Sequence, residues 1–171
     1  MFKRWILKRN IALVCLNDFL RKETAKSYAK ANRMLYLDID ELIDFEVISR
    51  KQVSLKCGDE FLKKLEKECI TQVVDYENCV FSLSADLFLA NDNKVLLEDC
   101  TIVYLATEMH AIDISKIKNK SEKTKLQQSM DINNNINDFL QKICPYVVEN
   151  ADIKSIVEII DEIKSFGKKS K

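Results

Sequence analysis

The sequence predicts an α/β fold in three layers, a parallel sheet of four to five strands covered by helices on both faces. Apolar runs of strand length, "IALVC", "CVFSL" and "TIVYL", recur along the chain, and such runs mark strands buried on both faces. Segments of helical periodicity separate them, and strands that alternate with helices form parallel sheets. No internal repeat or linker interrupts the 171 residues, so residues 1–171 are expected to form one domain with a sizeable core.

Ile11 to Leu16 is the first strand. Arg21 to Asn32, rich in Ala, Lys and Arg, reads as a helix, and Met34 to Leu37 as a second short strand. Asp40 to Val47 is helical in pattern, with Leu42, Ile43 and Val47 on one side. Asp59 to Val74 places Phe61, Leu62, Leu65, Cys69 and Val73 at spacings of three and four. Gly58 and the acidic pair Asp59 and Glu60 suit its start, where carboxylates favour the positive end of the helix dipole. Cys79 to Leu83 is a third strand, and a short helical stretch over 91–97 leads to the fourth, Thr101 to Leu105. The following lysine-rich stretch has little to bury and reads as a mobile or surface-lying segment. Ile136 to Cys144 and Asp152 to Phe166 close the chain as helices, the second with Ile156, Ile159, Ile160 and Ile163 on one face. A fifth strand built on "ADIKS" has little room before that last helix.

Composition narrows the function classes. Lys plus Arg equals Asp plus Glu at 27 each, so no charge imbalance points to nucleic acid or membrane. The start "MFKRWILKRN" is basic, but Lys8 and Arg9 break the apolar run that a secretory signal needs. Ile11 to Leu16 is too short to span a bilayer, and the expected location is the cytoplasm. Six cysteines lack any C-x-x-C pair and several lie in apolar runs, which predicts buried free thiols rather than disulfides or zinc ligands. His110 is the only histidine; it cannot make a two-histidine metal site and reads as a loop or surface residue.

Glycine is the scarcest resource. The chain has two, Gly58 and Gly167, and one proline, Pro145, where average proteins carry about 7% glycine. This bears directly on Asn10 to Asp44, which has the strand–turn–helix–strand layout of a nucleotide-binding βαβ unit. Its turn, Leu16 to Lys22, contains no glycine. Such a turn should not wrap around an anion, and Phe19 and Leu20 should pack inward or extend the helix.

Several segments taken in order resemble shikimate kinase, a small P-loop kinase of the nucleoside-monophosphate kinase type. "LYLDIDELID" is similar to that family's D-x-D-x-x-I-E strand end, and "GDEFLKKLEKE" to its G-E-x-x-F-R-x-x-E segment. "CVFSLSADLFL" lies where the family runs into G-G-G, "LLEDCTIVYLA" matches the approach to its fourth strand, and "PYVVENAD" resembles P-L-Y-x-x-x-A-D. The resemblance spans nearly the whole chain. It implies a five-stranded parallel sheet in order 2-3-1-4-5, a phosphate loop after strand one, and a lid, here at about 106–135. It also implies transfer of the ATP γ-phosphate to the shikimate 3-hydroxyl with magnesium, chemistry that rests on positioning and charge neutralisation.

Against that pattern the phosphate loop G-x-x-x-x-G-K-[ST] reads "CLNDFLRK". Cys15 and Leu20 take the glycine positions, Arg21 the lysine position and Lys22 that of the magnesium-binding hydroxyl, while Asp18 adds a negative charge within the loop. Asp38 and Asp40 match the family's aspartates, the first near magnesium if the chain is active and the second holding shikimate hydroxyls. Lys63 stands where the family arginine grips the shikimate carboxylate, keeping charge but losing the bidentate fork, and Glu66 matches the acidic residue that follows. Ser84, Ala85 and Asp86 replace the glycine triplet. No arginine lies in the lid-equivalent stretch, and Ile143, beside Lys142, holds another arginine position.

Simpler structural roles compete with these. Asp40 is placed to cap a helix starting at Glu41, and Lys63 and Glu66 have the spacing of a solvated ion pair. The resulting expectation is a family member that keeps the fold, has lost phosphoryl transfer and serves in binding or regulation. Residual substrate contacts would fall to Asp40, Lys63 and Glu66. No cofactor is expected, ATP and magnesium being needed only by an active chain, and shikimate binding should be weak or absent. A protein partner is the expected ligand, without nucleic acid or membrane. The alternatives are an active shikimate kinase and a protein-interaction module on the same scaffold.

Overall fold

The computed structural model describes residues 10–47, 49–106, 120–149 and 152–169. His110 and residues 107–119 of the lid-equivalent stretch lie outside the described residues.

Strand β1 (Ile11–Cys15) leads into helix α1 (Asp18–Asn32), then β2 (Leu35–Asp38) and α2 (Ile39–Glu46). Helices α3 (Arg50–Cys57) and α4 (Asp59–Val74) precede β3 (Cys79–Ser84), and α5 (Ala85–Leu89) and α6 (Asn93–Leu96) precede β4 (Thr101–Ala106). Helix α7 (Lys120–Ile143), β5 (Tyr146–Glu149) and α8 (Ile153–Lys169) complete the order. The sheet runs β2-β3-β1-β4-β5, with every pairing parallel.

Alternation along β1 builds both layers, because successive strand side chains point to opposite faces. Ala12 and Val14 join Phe81, Leu83 and Tyr104 beneath α2, α4, α5 and the C-terminal end of α7. Ile11, Leu13 and Cys15 join Val80, Val103 and Leu105 beneath α1 and α8. Ile156 and Ile160 are buried there, with Ile159 and Ile163 packed against them, so α8 presents the isoleucine face its periodicity predicts. Tyr28 on α1 donates to Asp161 Oδ1 on α8 at 2.8 Å, and burial lifts its phenol well above the ordinary range. Five of the six cysteines are buried free thiols and Cys57 is exposed.

Four expectations need correction. The first helix begins at Asp18 rather than Arg21, because the Asn17 side chain caps it. Helices α3 and α5 form where no helix was anticipated. Helix α7 starts at Lys120, sixteen residues before Ile136. Its polar first half is held by backbone bonds and local pairs such as Gln127 to Asp131 at 2.9 Å, which need no core to form. The fifth strand exists, and it uses "YVVE" rather than "ADIKS". Asp152 then takes the backbone N–H of Ser155 at 3.0 Å, so Asp152 and its neighbours serve the start of α8.

With so little glycine, other residues take the left-handed turns. Among the described residues Arg33, Asn78 and Asp92 have positive φ, at 53°, 59° and 60°. Asn and Asp tolerate this conformation; arginine does so at a cost. Arg33 ends α1, and Met34 N–H returns to Ala29 O at 2.9 Å. Asn10 ties the sheet's entry together: its Oδ1 accepts the buried Cys79 N–H at 2.9 Å and its Nδ2 donates to Tyr76 O at 2.6 Å.

Arg33→Gly is expected to raise stability by about 0.5–1 kcal/mol through relief of the left-handed strain, read as a higher urea midpoint. Asn10→Ala is expected to lower stability by about 1–3 kcal/mol, because the Cys79 N–H loses its acceptor. Its urea midpoint should fall with no change in m; an unchanged midpoint would mean the amide is satisfied otherwise.

Candidate functional site

The turn after β1 is where a phosphate loop would present backbone N–H groups to an anion, and here three of those groups bond within the chain. Asn17 N–H donates to Cys15 Sγ at 3.3 Å. Leu20 N–H donates to Asn17 Oδ1 at 3.0 Å, and Arg21 N–H to Asn17 O at 3.0 Å. Burial pushes the Cys15 thiol up, so it stays neutral and acts as an acceptor. Phe19 projects outward, 73% exposed, and Leu20 packs against the α1 side of the core. The turn is an N-capped helix start.

Arg21, one helical turn in, points back under the sheet's carboxyl edge with its side chain 1% exposed. Its Nη1 donates to Asp38 Oδ2 at 2.9 Å, Asp40 Oδ2 at 3.3 Å and Ser82 Oγ at 3.4 Å. Its Nη2 donates to the exposed Asp18 at 3.0 Å, and its Nε is buried without an acceptor. Strand register explains the meeting: Asp38 of β2 lies directly beside Ser82 of β3, and neighbours in register share a face. Ser82 Oγ donates to Asp38 Oδ2 at 2.6 Å, and Tyr36 O–H reaches the same oxygen at 3.4 Å. Burial holds the Tyr36 phenol above its ordinary range.

The two aspartates divide their work. Asp38, not Asp40, caps α2, its Oδ1 accepting Glu41 N–H at 2.9 Å. Asp40 sits in the first turn of α2 and reaches across to α5. Its Oδ2 accepts Ser84 N–H at 2.6 Å and its Oδ1 accepts Ser84 O–H at 2.8 Å. Arg50 of α3 adds Nη1 to Asp40 Oδ1 at 3.3 Å and Nη2 to the Asp40 carbonyl at 2.9 Å. Arg50 Nε lies 2.8 Å from Asp44 Oδ1, in ion-pair contact but off the hydrogen-bond line.

These groups wall an open cleft of about 650 Å³, with Asp18, Arg21, Lys22, Asp40, Arg50 and Ser84 among its lining residues. Lys22 is held by Glu41 at 2.7 Å, a bond that raises its pKa. Lys63, Glu66 and Asp86 do not line the cleft. Lys63 pairs with Glu60 at 2.8 Å and faces a separate depression along α4. Glu66 is buried on α4. Ala85 is buried, and exposed Asp86 belongs to the first turn of α5. Of the sequence-derived candidates, the structure therefore gathers Asp18, Arg21, Lys22, Asp38, Asp40 and Ser84. Ser82, Tyr36 and Arg50 were missed. Ser82 and Tyr36 become visible only through strand register, and Arg50 starts a helix with no apolar stripe. Asn17 carried a readable signal, an Asn–Asp pair just ahead of a helix.

Asp40→Ala is expected to destabilise the chain by about 2–4 kcal/mol in the absence of any ligand, since it strands buried donors on Arg21 and Ser84. Urea denaturation checks this; a stability unchanged within about 0.5 kcal/mol would show that Asp40 is not part of the scaffold.

Comparison with known proteins follows the same lines. A family model described as shikimate kinase matches residues 22–166, opening just past the glycine-free turn. Among solved structures, shikimate kinase from Aquifex aeolicus aligns with 19% identity and a TM-score of 0.69, over 93% of this chain and 97% of that one. The Acinetobacter baumannii shikimate kinase, solved in complex with shikimate, gives 16% identity and 0.68 over 95% and 96%. The Bacteroides thetaiotaomicron shikimate kinase gives 16% and 0.68 over 91% and 98%. No curated protein sequence matches. With most of its length matched by the family model, and the sheet order that goes with it, the chain belongs to the shikimate kinase family.

Proposed function

We propose that this member of the family does not transfer phosphate and serves in binding or regulation on the retained fold. The observation that carries the reading is the buried Arg21 guanidinium held among Asp18, Asp38, Asp40 and Ser82. A phosphate-binding lysine must offer its charge to the ligand, whereas this cation is spent within the chain. The residues present do not fit ATP with magnesium. The hydroxyl position holds Lys22, and Asp38 already carries the Arg21, Ser82 and Glu41 contacts. The turn N–H groups of Asn17, Leu20 and Arg21 are taken by Cys15 and Asn17.

Magnitudes support the same conclusion. Loss of one preorganised charge-stabilising donor commonly costs about a hundredfold to a thousandfold in rate, and several are altered together here. Shikimate fares no better. Both oxygens of Asp40 serve Ser84 and the two arginines, and Lys63 lies outside the cleft. A protein partner remains the proposed ligand of the fold.

A coupled ADP-release assay with ATP, magnesium and shikimate is expected to show no shikimate-dependent turnover, and calorimetry no ATP affinity tighter than about millimolar. Restoring Ser84, Ala85 and Asp86 to glycine should not rescue activity, because the phosphate loop stays absent. Turnover near about one per second, the low end for kinases, would instead identify an active shikimate kinase.

A further inference from the structure

We propose that Arg21 is a tethered occupant of the cleft. The seat formed by Asp38, Asp40 and Ser82 recognises a guanidinium ion, the chain supplies that ion in cis, and the seat takes a free alkylguanidinium once Arg21 is removed. The inference deepens the reading above by naming what closes the site against external cations.

Three oxygens from three positions converge on one nitrogen, Arg21 Nη1, at 2.9, 3.3 and 3.4 Å. Guanidinium suits such a seat because it is weakly hydrated and permanently charged, and its second nitrogen reaches Asp18 at 3.0 Å while the first serves the seat. The seat does not owe its shape to Arg21. Asp38 is fixed by Glu41 N–H and Ser82 O–H. Asp40 is fixed by the Ser84 N–H and O–H and by Arg50. Those bonds persist without the Arg21 side chain, leaving a preformed acceptor set in which Asp38 has lost its cation and Asp40 keeps only Arg50. Arg21 Nε makes no bond, so recognition lies at the Nη end and an alkyl substituent on the third nitrogen loses nothing. Tethering gives the resident ion an effective concentration in the millimolar range or above, which an external cation must exceed.

Chemical rescue of the full chain tests this. Arg21→Ala is expected to melt lower by on the order of 10 °C, as when one partner of a buried ion pair is removed. Ethylguanidinium at about 50 mM should raise that melting temperature by about 3 °C or more. Wild type should fall slightly under the same addition, through general guanidinium denaturation, and Arg21→Ala combined with Asp40→Asn should show no rise. Equal responses in wild type and Arg21→Ala, or no rise in a folded Arg21→Ala, would overturn the proposal. If Arg21→Ala does not fold, nitrogen-15 NMR of wild type decides. Separately resolved Arg21 Nη resonances support a seated guanidinium, and a single averaged resonance overturns it. Shikimate-dependent turnover would remove the inactive-kinase reading while leaving the seat intact; failed rescue does the reverse.

Discussion

Two aspartates two residues apart at the carboxyl end of β2 require a cation, and in this chain Arg21 is that cation. The contact ties α1 to β2, α2 and β3 at once. Its worth lies less in net stability than in specificity. Bringing a guanidinium and carboxylates out of water costs nearly what their attraction returns, yet removing one partner alone strands the other. The cluster therefore fixes which residues meet, and Ser84 at the start of α5 and Arg50 of α3 converge with Arg21 on the Asp40 carboxylate.

Backbone accounting gives the same answer for the turn. A helix start leaves N–H groups unpaired, and an anion or a side chain must satisfy them. Glycine would let successive N–H groups turn toward a ligand. Here Asn17 accepts from Leu20 and Arg21, and Cys15 accepts from Asn17. The scarcity of glycine thus has a local consequence, a turn built as a capped helix start. Its consequence elsewhere is conformational, since Arg33 and Asn78 hold left-handed positions that glycine would occupy at lower cost.

Around the cleft, the carboxylates of Asp38 and Asp40 are both committed to internal donors. The α4 lysine expected at a substrate carboxylate points along its own helix to Glu60 instead, while Arg50 from α3 supplies the second guanidinium of the cleft.

The sequence by itself determined the α/β class, four of the five strands within a residue or two, and the absence of glycine from the turn after β1. These are local matters: apolar runs, three-four spacing and the absence of glycine between Leu16 and Lys22 can each be read within a dozen residues. Asp18, Arg21, Lys22, Asp38, Asp40 and Ser84 are site positions only through the resemblance to the family's motifs. Tertiary structure decided what those positions do. That Arg21 turns inward to Asp38 depends on β2 and β3 lying in register, so that Asp38 and Ser82 stand side by side. That Lys63 leaves the cleft and Arg50 enters it depends on how α3 and α4 pack. Helix α3 buries no residue, so no apolar stripe announced it. Polar contacts across elements 17 or 44 residues apart follow from strand register and helix packing, which no local pattern in the chain records.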